Sequence, residues 1–221
     1  NKYYDLSLKK NRLKNLKNDK FKKNFKFYKV DLNNFKRLEN IFTKFKFDYV
    51  VNLAAQAGVR YSLKHPKTYL RSNVNGFFNI LELSKRFKIK HFVYASSSSI
   101  YGKNKETPFK ESLATDNPLQ IYAATKKTNE LFAHVYSNLY KMPTTGLRFF
   151  TVYGPWGRPD MAPFLFVKNI HKGKTIKVFN NGNHLRDFTY IDDIVDGISK
   201  IIFKVPSTKK NLLPYQILNI G

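Results

Sequence analysis

Short apolar runs alternate along this chain with longer amphipathic stretches, at separations that a hairpin cannot bridge. Residues 48–54, 91–96, 144–149 and 216–220 read as strands, and 25–32 and 176–179 as shorter ones. Residues 37–45, 79–87, 119–140, 164–171 and 191–203 read as helices, a lysine-rich start over 1–24 has a weak helical pattern, and Pro66 opens a further polar-to-helical stretch. Consecutive parallel strands need crossovers of about a dozen residues or more, which these intervals supply. The pattern predicts an α/β fold, a doubly wound parallel sheet covered on both faces. In such sheets ligands collect beyond the carboxyl ends of the strands. At those ends stand Ala54-Ala55-Gln56, the run Ser96 to Ser99, and Phe149-Phe150-Thr151.

Composition narrows the class. The chain is 42% hydrophobic and 16% aromatic, ample for a core, and its length suits one domain with a small lobe. With no cysteine there is neither a disulfide nor a thiolate metal site, and no metal site is expected. No apolar run is long enough to span a bilayer, no charged-then-apolar signal opens the chain, and the composition is compatible with cytoplasm. The formal charge of +25 invites a nucleic-acid reading, but lysine outnumbers arginine 32 to 8 and is spread along the chain. Bidentate phosphate and base readers favour arginine. Compositional drift toward lysine, asparagine, phenylalanine and isoleucine accounts for the charge, and nucleic acid is not an expected partner.

Tyr122 and Lys126 carry the chemistry. Four residues apart on a helix, their side chains share one face. A phenol titrates near ~10, and a neighbouring ammonium favours its ionised form. A tyrosine so tuned can take a proton from a substrate hydroxyl. The spacing alone is common: with fourteen tyrosines in a lysine-rich chain, about two such pairs arise by chance. A second pair, Tyr101 and Lys105, encloses Gly102 and Asn104 and reads as a turn. Tyr122 instead opens a run of good helix formers, in which Leu131, Val135 and Leu139 suggest a buried stripe. The plain alternative for Tyr122 is a structural ring, and for the serines a cap or turn.

Several blocks in order resemble one family. They are Leu53-Ala54-Ala55-Gln56-Ala57-Gly58-Val59-Arg60, Tyr94-Ala95-Ser96-Ser97-Ser98-Ser99-Ile100-Tyr101-Gly102, Tyr122-Ala123-Ala124-Thr125-Lys126, Leu147-Arg148-Phe149-Phe150-Thr151-Val152-Tyr153-Gly154-Pro155, and Arg186-Asp187-Phe188-Thr189-Tyr190. Together they resemble the extended short-chain dehydrogenase/reductases, in the NAD-dependent epimerase/dehydratase family, over nearly the whole chain.

The resemblance implies a Rossmann-like fold and NAD-dependent inversion at C4 of a UDP-sugar, with UDP-glucuronate to UDP-galacturonate foremost. UDP-glucose/galactose epimerisation, or another sugar-nucleotide epimerase or dehydratase, is the alternative. The non-enzyme alternatives are a basic nucleic-acid-binding protein and an inactive truncated fragment. As implied by the resemblance, Tyr122 removes the 4-hydroxyl proton, Lys126 lowers its pKa and bonds the nicotinamide ribose, and Ser97 is the hydroxyl partner. Ser98 and Ser99 are near enough to share that role on the substrate side. Cofactor contacts carry over to Asp31 and Leu32 near the adenine, to Ala54, Ala55 and Gln56 along the dinucleotide, to Asn73, and to Phe150 near the nicotinamide. On the substrate side, Thr151 and Arg158 match groups near the sugar and its carboxylate, and Arg186 the arginine on the pyrophosphate. Phe179 is the candidate to stack on uracil, against its plain reading as a core residue. Relatives commonly dimerise through the tyrosine helix and its neighbour, so the resemblance also implies a homodimer.

One departure stands out. The family's Gly-x-x-Gly-x-x-Gly turn, which brings backbone N–H groups to the pyrophosphate, does not occur in these residues. The resemblance therefore implies a chain truncated at both ends: a partial NAD-binding domain over 1–160, and a partial substrate lobe over 161–221 whose last helix and strand return to the main sheet. It also implies that these residues alone bind NAD poorly.

Overall fold

The computed structural model describes residues 3–18, 22–178, 180–183, 185–207 and 212–221, with the backbone alone for Arg60. In chain order the elements are α1 (Leu6–Asn18), α2 (Phe35–Phe45), β1 (Tyr49–Asn52), α3 (Val59–Lys64), α4 (Pro66–Tyr69), a π-helical segment (Leu70–Asn75), α5 (Gly76–Arg86) and β2 (His91–Ala95). After a 3-10 turn (Ser98–Tyr101) come α6 (Ile121–Tyr140), β3 (Thr144–Phe149), β4 (Thr151–Tyr153), α7 (Ala162–His171), β5 (Phe188–Tyr190), α8 (Ile191–Ile202) and β6 (Tyr215–Ile220). The chain divides into two compact units, residues 30–150 with 193–221, and residues 1–29 with 151–192.

The first unit is built on a four-stranded sheet in the order β1-β2-β3-β6, parallel throughout. Its two central strands are buried along almost their full length, so neither alternates between core and solvent, and their polar members His91, Thr144, Thr145 and Arg148 are buried too. Successive side chains on a strand point to opposite faces. Phe92 and Tyr94 therefore share a face, and they join a core with Phe77 and Leu81 of α5, Ala133 and Tyr136 of α6, and Leu38 and Phe42 of α2. Phe77 meets both strand rings edge-on, at 5.6 and 5.3 Å. His91 points the other way and reaches the carbonyl of Ile202 at the end of α8. Helices thus cover both faces, the doubly wound arrangement anticipated above. Close contact inside the sheet depends on Gly146: a Cβ there would lie 2.6 Å from both Tyr94 Oη and Ile217 Cδ1.

Because the strands are parallel, their carboxyl ends emerge on one edge. Residues 53–58 leave β1 there, the serine turn leaves β2, and Phe150 leaves β3.

The second unit holds α1, α7 and a two-stranded parallel pair, β4 with β5 in the register Thr151↔Phe188 to Tyr153↔Tyr190. This pairing draws 151–160 toward 161–192, so the division falls at residues 150 and 192 rather than at 160. β6, by contrast, pairs with β3.

Three local expectations differ from the structure. Residues 25–30 form no strand, because their backbone meets no neighbouring ladder among the described residues; Phe27 and Tyr28 are exposed, while Val30 and Leu32 pack on the core. Residues 174–178 are likewise not a strand. On α6, Leu131, Val135 and Leu139 are 55%, 45% and 63% exposed. The face that α6 buries is made of Ala123, Lys126, Asn129, Glu130 and Ala133, small or polar side chains that a search for leucine spacing passes over.

Candidate active site

Tyr122 is the second residue of α6 and is half-buried, with its ring edge-on to Tyr69 at 6.2 Å. Tyr69 is fully buried and its hydroxyl is anchored by the carbonyls of Ala57 and Gly58. One wall beside Tyr122 is therefore a ring that cannot swing away. One turn further along α6, Lys126 is 3% exposed, and its Nζ donates to the carbonyl of Ala95 at 2.7 Å. Burial pushes the Lys126 pKa down to about 8. It still carries its charge for most of the time at neutral pH, in a setting where that charge is poorly screened.

Ala95 leads into the serine turn. Ser97 is buried and extended, and its Oγ accepts from the backbone N–H of Ser99 at 3.2 Å, capping the 3-10 turn. The capping role anticipated as the plain reading is therefore real, yet an oxygen that accepts there keeps its own O–H to donate. Ser98 and Ser99 are half-buried beside it. Tyr101, the member of the rival pair, is 2% exposed and donates to Asn219 Oδ1 at 2.6 Å, so its phenol is committed to the fold.

The loop after β1 is tied to α6 by Asn73. Its Oδ1 accepts from Gln56 N (2.7 Å), and its Nδ2 donates to Gln56 O (3.0 Å) and to Thr125 Oγ1 (3.2 Å). Thr125 in turn donates to the carbonyl of Tyr122 at 2.8 Å. The Asn73 side chain, 1% exposed, thus sets the loop against the helix. It lies in the π-helical segment, a local widening of the kind often found at functional sites. Ala54 and Ala55 are exposed on that loop. Asp31 is exposed just before α2. Hydrogen bonds from Asn33 hold its carboxyl below the usual range, helped by Arg71 Nη2 at 2.8 Å. Leu32 packs against Gly76, where a Cβ would come within 3.0 Å of the Leu32 Cβ. Phe150 is half-buried and donates its N–H to Ile220 O.

In the second unit, Thr151 opens β4 and donates its N–H to Asp187 O. Arg158 is engaged: its Nε lies 3.1 Å from Asp160 Oδ1, and Asp160 Oδ2 accepts from the Tyr3 hydroxyl at 2.7 Å. Arg186 is exposed. Phe179 lies outside the described residues.

Sequence reasoning passed over one group. Arg148 and Glu130 form a buried pair, with Nε to Oε1 and Nη2 to Oε2 both at 3.0 Å. Signals for it were an arginine inside an apolar strand and a glutamate four residues beyond Lys126. Among the described residues no group of histidine, aspartate or glutamate could hold a metal ion, and no helix is long and apolar enough to cross a membrane.

A helix-borne tyrosine and buried lysine, a serine turn beyond the neighbouring strand, and a parallel sheet define a class. Residues 2–221 match the family described as NAD dependent epimerase/dehydratase, and the chain belongs to it. Protein CapI of Staphylococcus aureus is 53% identical over 232 residues, covering 100% of this chain and 68% of that protein. A probable UDP-glucuronate 4-epimerase of Rhizobium meliloti is 47% identical over 212 residues, 96% of this chain and 61% of its own length. Among solved structures, UDP-glucuronic acid 4-epimerase from Bacillus cereus, in complex with UDP-glucuronic acid and NAD, superposes with a TM-score of 0.85. It is 35% identical and covers 98% of this chain and 65% of that one. The chain thus spans 61–68% of the length of these relatives.

Proposed function

We propose that the whole protein is an NAD-dependent UDP-sugar 4-epimerase that interconverts UDP-glucuronate and UDP-galacturonate, and that Tyr122, Lys126 and Ser97 manage its proton. The observation that carries this reading is the buried Lys126, placed one helical turn from Tyr122 and bonded to the strand end that leads into Ser97. Tyr122 takes the proton of the sugar 4-hydroxyl and later returns it. The charge on Lys126 lowers the cost of the phenolate, and the Ser97 O–H donates to the same sugar oxygen.

The chain's donors fit a nicotinamide dinucleotide at its ribose and nicotinamide ends. Of the three N–H donors of Lys126, the bond to Ala95 uses one, leaving others for a ribose hydroxyl. Ala54 and Ala55 are small and exposed, so a ligand can approach the backbone of residues 53–56. With Asp31, Leu32, Gln56, Asn73 and Phe150 these residues would hold the cofactor, Asn73 acting through the loop it fixes. When bound, NAD supplies a two-electron acceptor that makes oxidation and re-reduction at C4 reversible.

Thr151, Arg158 and Arg186 complete the proposal on the substrate side, with Arg158 facing the carboxylate and Arg186 the pyrophosphate. Ser98 and Ser99 contact the sugar, and Phe179 is proposed for the uracil on the family resemblance alone. A second reading, UDP-glucose/galactose epimerisation, is favoured by one contact: Asp160 already engages Arg158, which weakens its pull on a substrate carboxylate. We further propose a homodimer that covers the exposed Leu131, Val135 and Leu139. The reaction is assigned to the cytoplasm.

The test is turnover of UDP-glucuronate and, in parallel, UDP-glucose by the whole protein with NAD. Conversion to UDP-galacturonate is expected, with Tyr122→Phe reducing kcat by about 10²- to 10⁴-fold. Near-normal turnover by that variant would remove Tyr122 from the mechanism.

A further inference from the structure

The serine turn after β2 is closed from beneath by a ring of side chains. Ser96 Oγ donates to Glu130 Oε1 at 2.6 Å. Glu130 accepts Arg148 through both carboxylate oxygens. Arg148 Nη1 donates to the hydroxyl of Tyr101 at 2.9 Å, and Tyr101 ends the turn that Ser97 caps. The path Ser96–Glu130–Arg148–Tyr101 therefore returns to the chain five residues beyond its start and encloses Ser97, Ser98, Ser99 and Ile100. A second grip comes from the same helix. Lys126 holds the carbonyl of Ala95, and Glu130, one turn on, holds the hydroxyl of Ser96. Two successive residues of the strand exit are thus fastened to two successive turns of the helix that carries Tyr122.

Stability alone does not account for this arrangement. A buried ion pair is seldom better for stability than apolar side chains of the same volume, whereas a forked arginine–carboxylate pair is directional. Here the direction is spent on a serine next to Ser97. We infer that Glu130, acting through Ser96, is a positioning residue that fixes the Ser97 hydroxyl relative to Tyr122. The inference rests on the proton-transfer reading above.

Two variants open the ring without disturbing the ion pair. Ser96→Ala cuts one arm and Tyr101→Phe the other. A hydrogen bond is worth up to about tenfold in a local equilibrium. In either variant the amides of Ser99 and Ile100, which donate to Ser97 Oγ and O, should exchange with deuterium about tenfold faster, while amides of β2 are unchanged. In the whole protein with NAD, kcat should fall by a similar factor with KM for UDP-glucuronate unchanged. Unchanged exchange in both variants overturns the inference, and so does faster exchange with normal kcat, which would leave the ring a purely structural device. If the unmodified protein does not turn over UDP-glucuronate, the proposed function fails. The exchange rates still decide whether Ser96 holds the turn.

Discussion

Lys126 donates to the carbonyl oxygen of Ala95 at 2.7 Å, so the helix that carries Tyr122 is bonded directly to the end of the strand that leads to Ser97. The bond uses one proton of a buried ammonium whose pKa burial lowers to about 8. The unfolded chain, with an ordinary lysine near ~10.4, binds more protons between those two values. Stability contributed by this group is therefore present above the unfolded value and lost as pH falls through about 8. We predict that the melting temperature of the wild type gains, between pH 8 and 10.5, a rising component that Lys126→Met lacks. Calorimetry of both proteins across that window checks the difference, and a parallel pH dependence in the two would sink it. Lys126→Met should also lower kcat by about 10²-fold or more.

The pair Glu130–Arg148 has side chains only 4% and 5% exposed. Glu130→Ala leaves a guanidinium buried without its counter-charge, and should cost about 3–5 kcal/mol in urea unfolding. The double variant Glu130→Leu, Arg148→Met should cost clearly less than Glu130→Ala. A double variant as unstable as the single one would mean that shape, not charge, sets the cost.

His91 provides an acid-side test. Its Nδ1 lies 3.0 Å from the carbonyl of Ile202, which can only accept, so the proton sits on Nδ1. Nε2 then accepts from Thr145 Oγ1 at 2.8 Å, and Thr145 accepts from Gln216 Nε2 at 2.9 Å. Burial lowers the pKa of His91. Below the unfolded value near ~6.5 the unfolded chain takes up a proton that the folded one resists, so this contribution is lost as pH falls. Stability of the wild type should decline from pH 7 to 5 more steeply than that of His91→Asn. Equal slopes in urea titrations at both pH values would refute the assignment.

Leu131, Val135 and Leu139 offer an apolar stripe on the outer face of α6. Val135→Glu with Leu139→Glu should convert the proposed dimer to a monomer in sedimentation velocity while leaving the helical circular dichroism intact. A wild type that sediments as a monomer at tens of micromolar would end the dimer proposal.

Much of this was legible in the sequence, and the reason differs from element to element. β2 was readable because a strand buried on both faces places Phe92, Val93 and Tyr94 in succession. Tyr122 and Lys126 were readable as helical neighbours because good helix formers surround them, which the same spacing at Tyr101 and Lys105 lacks. The stripe Leu131-Val135-Leu139 was misread for a related reason: spacing reveals a face but not which face meets the core, and α6 turns its alanines and its charged pair inward. Residues 25–30 carried strand-like alternation, yet a strand exists only when a neighbour supplies the hydrogen bonds. β4 and β5, three residues each, are too short for any period to emerge. The engagement of Arg158 by Asp160 and of Asn73 by Gln56 depends on side-chain geometry that spacing does not encode.

Tyr101 and Asn219 meet across 118 residues of chain, and Asn219 also binds the Phe109 carbonyl through its amide and Glu111 through its backbone N–H. This has a consequence for synthesis. A nascent chain released only as far as β3 already carries Tyr122, Lys126, Ser97 and the Glu130–Arg148 pair. The strand that receives the Tyr101 hydroxyl has not yet been translated. The ring of Ser96, Glu130, Arg148 and Tyr101 is complete in such a polypeptide, but the Tyr101 hydroxyl lacks its acceptor, so a chain arrested there holds the turn around Ser97 without its tie to β6.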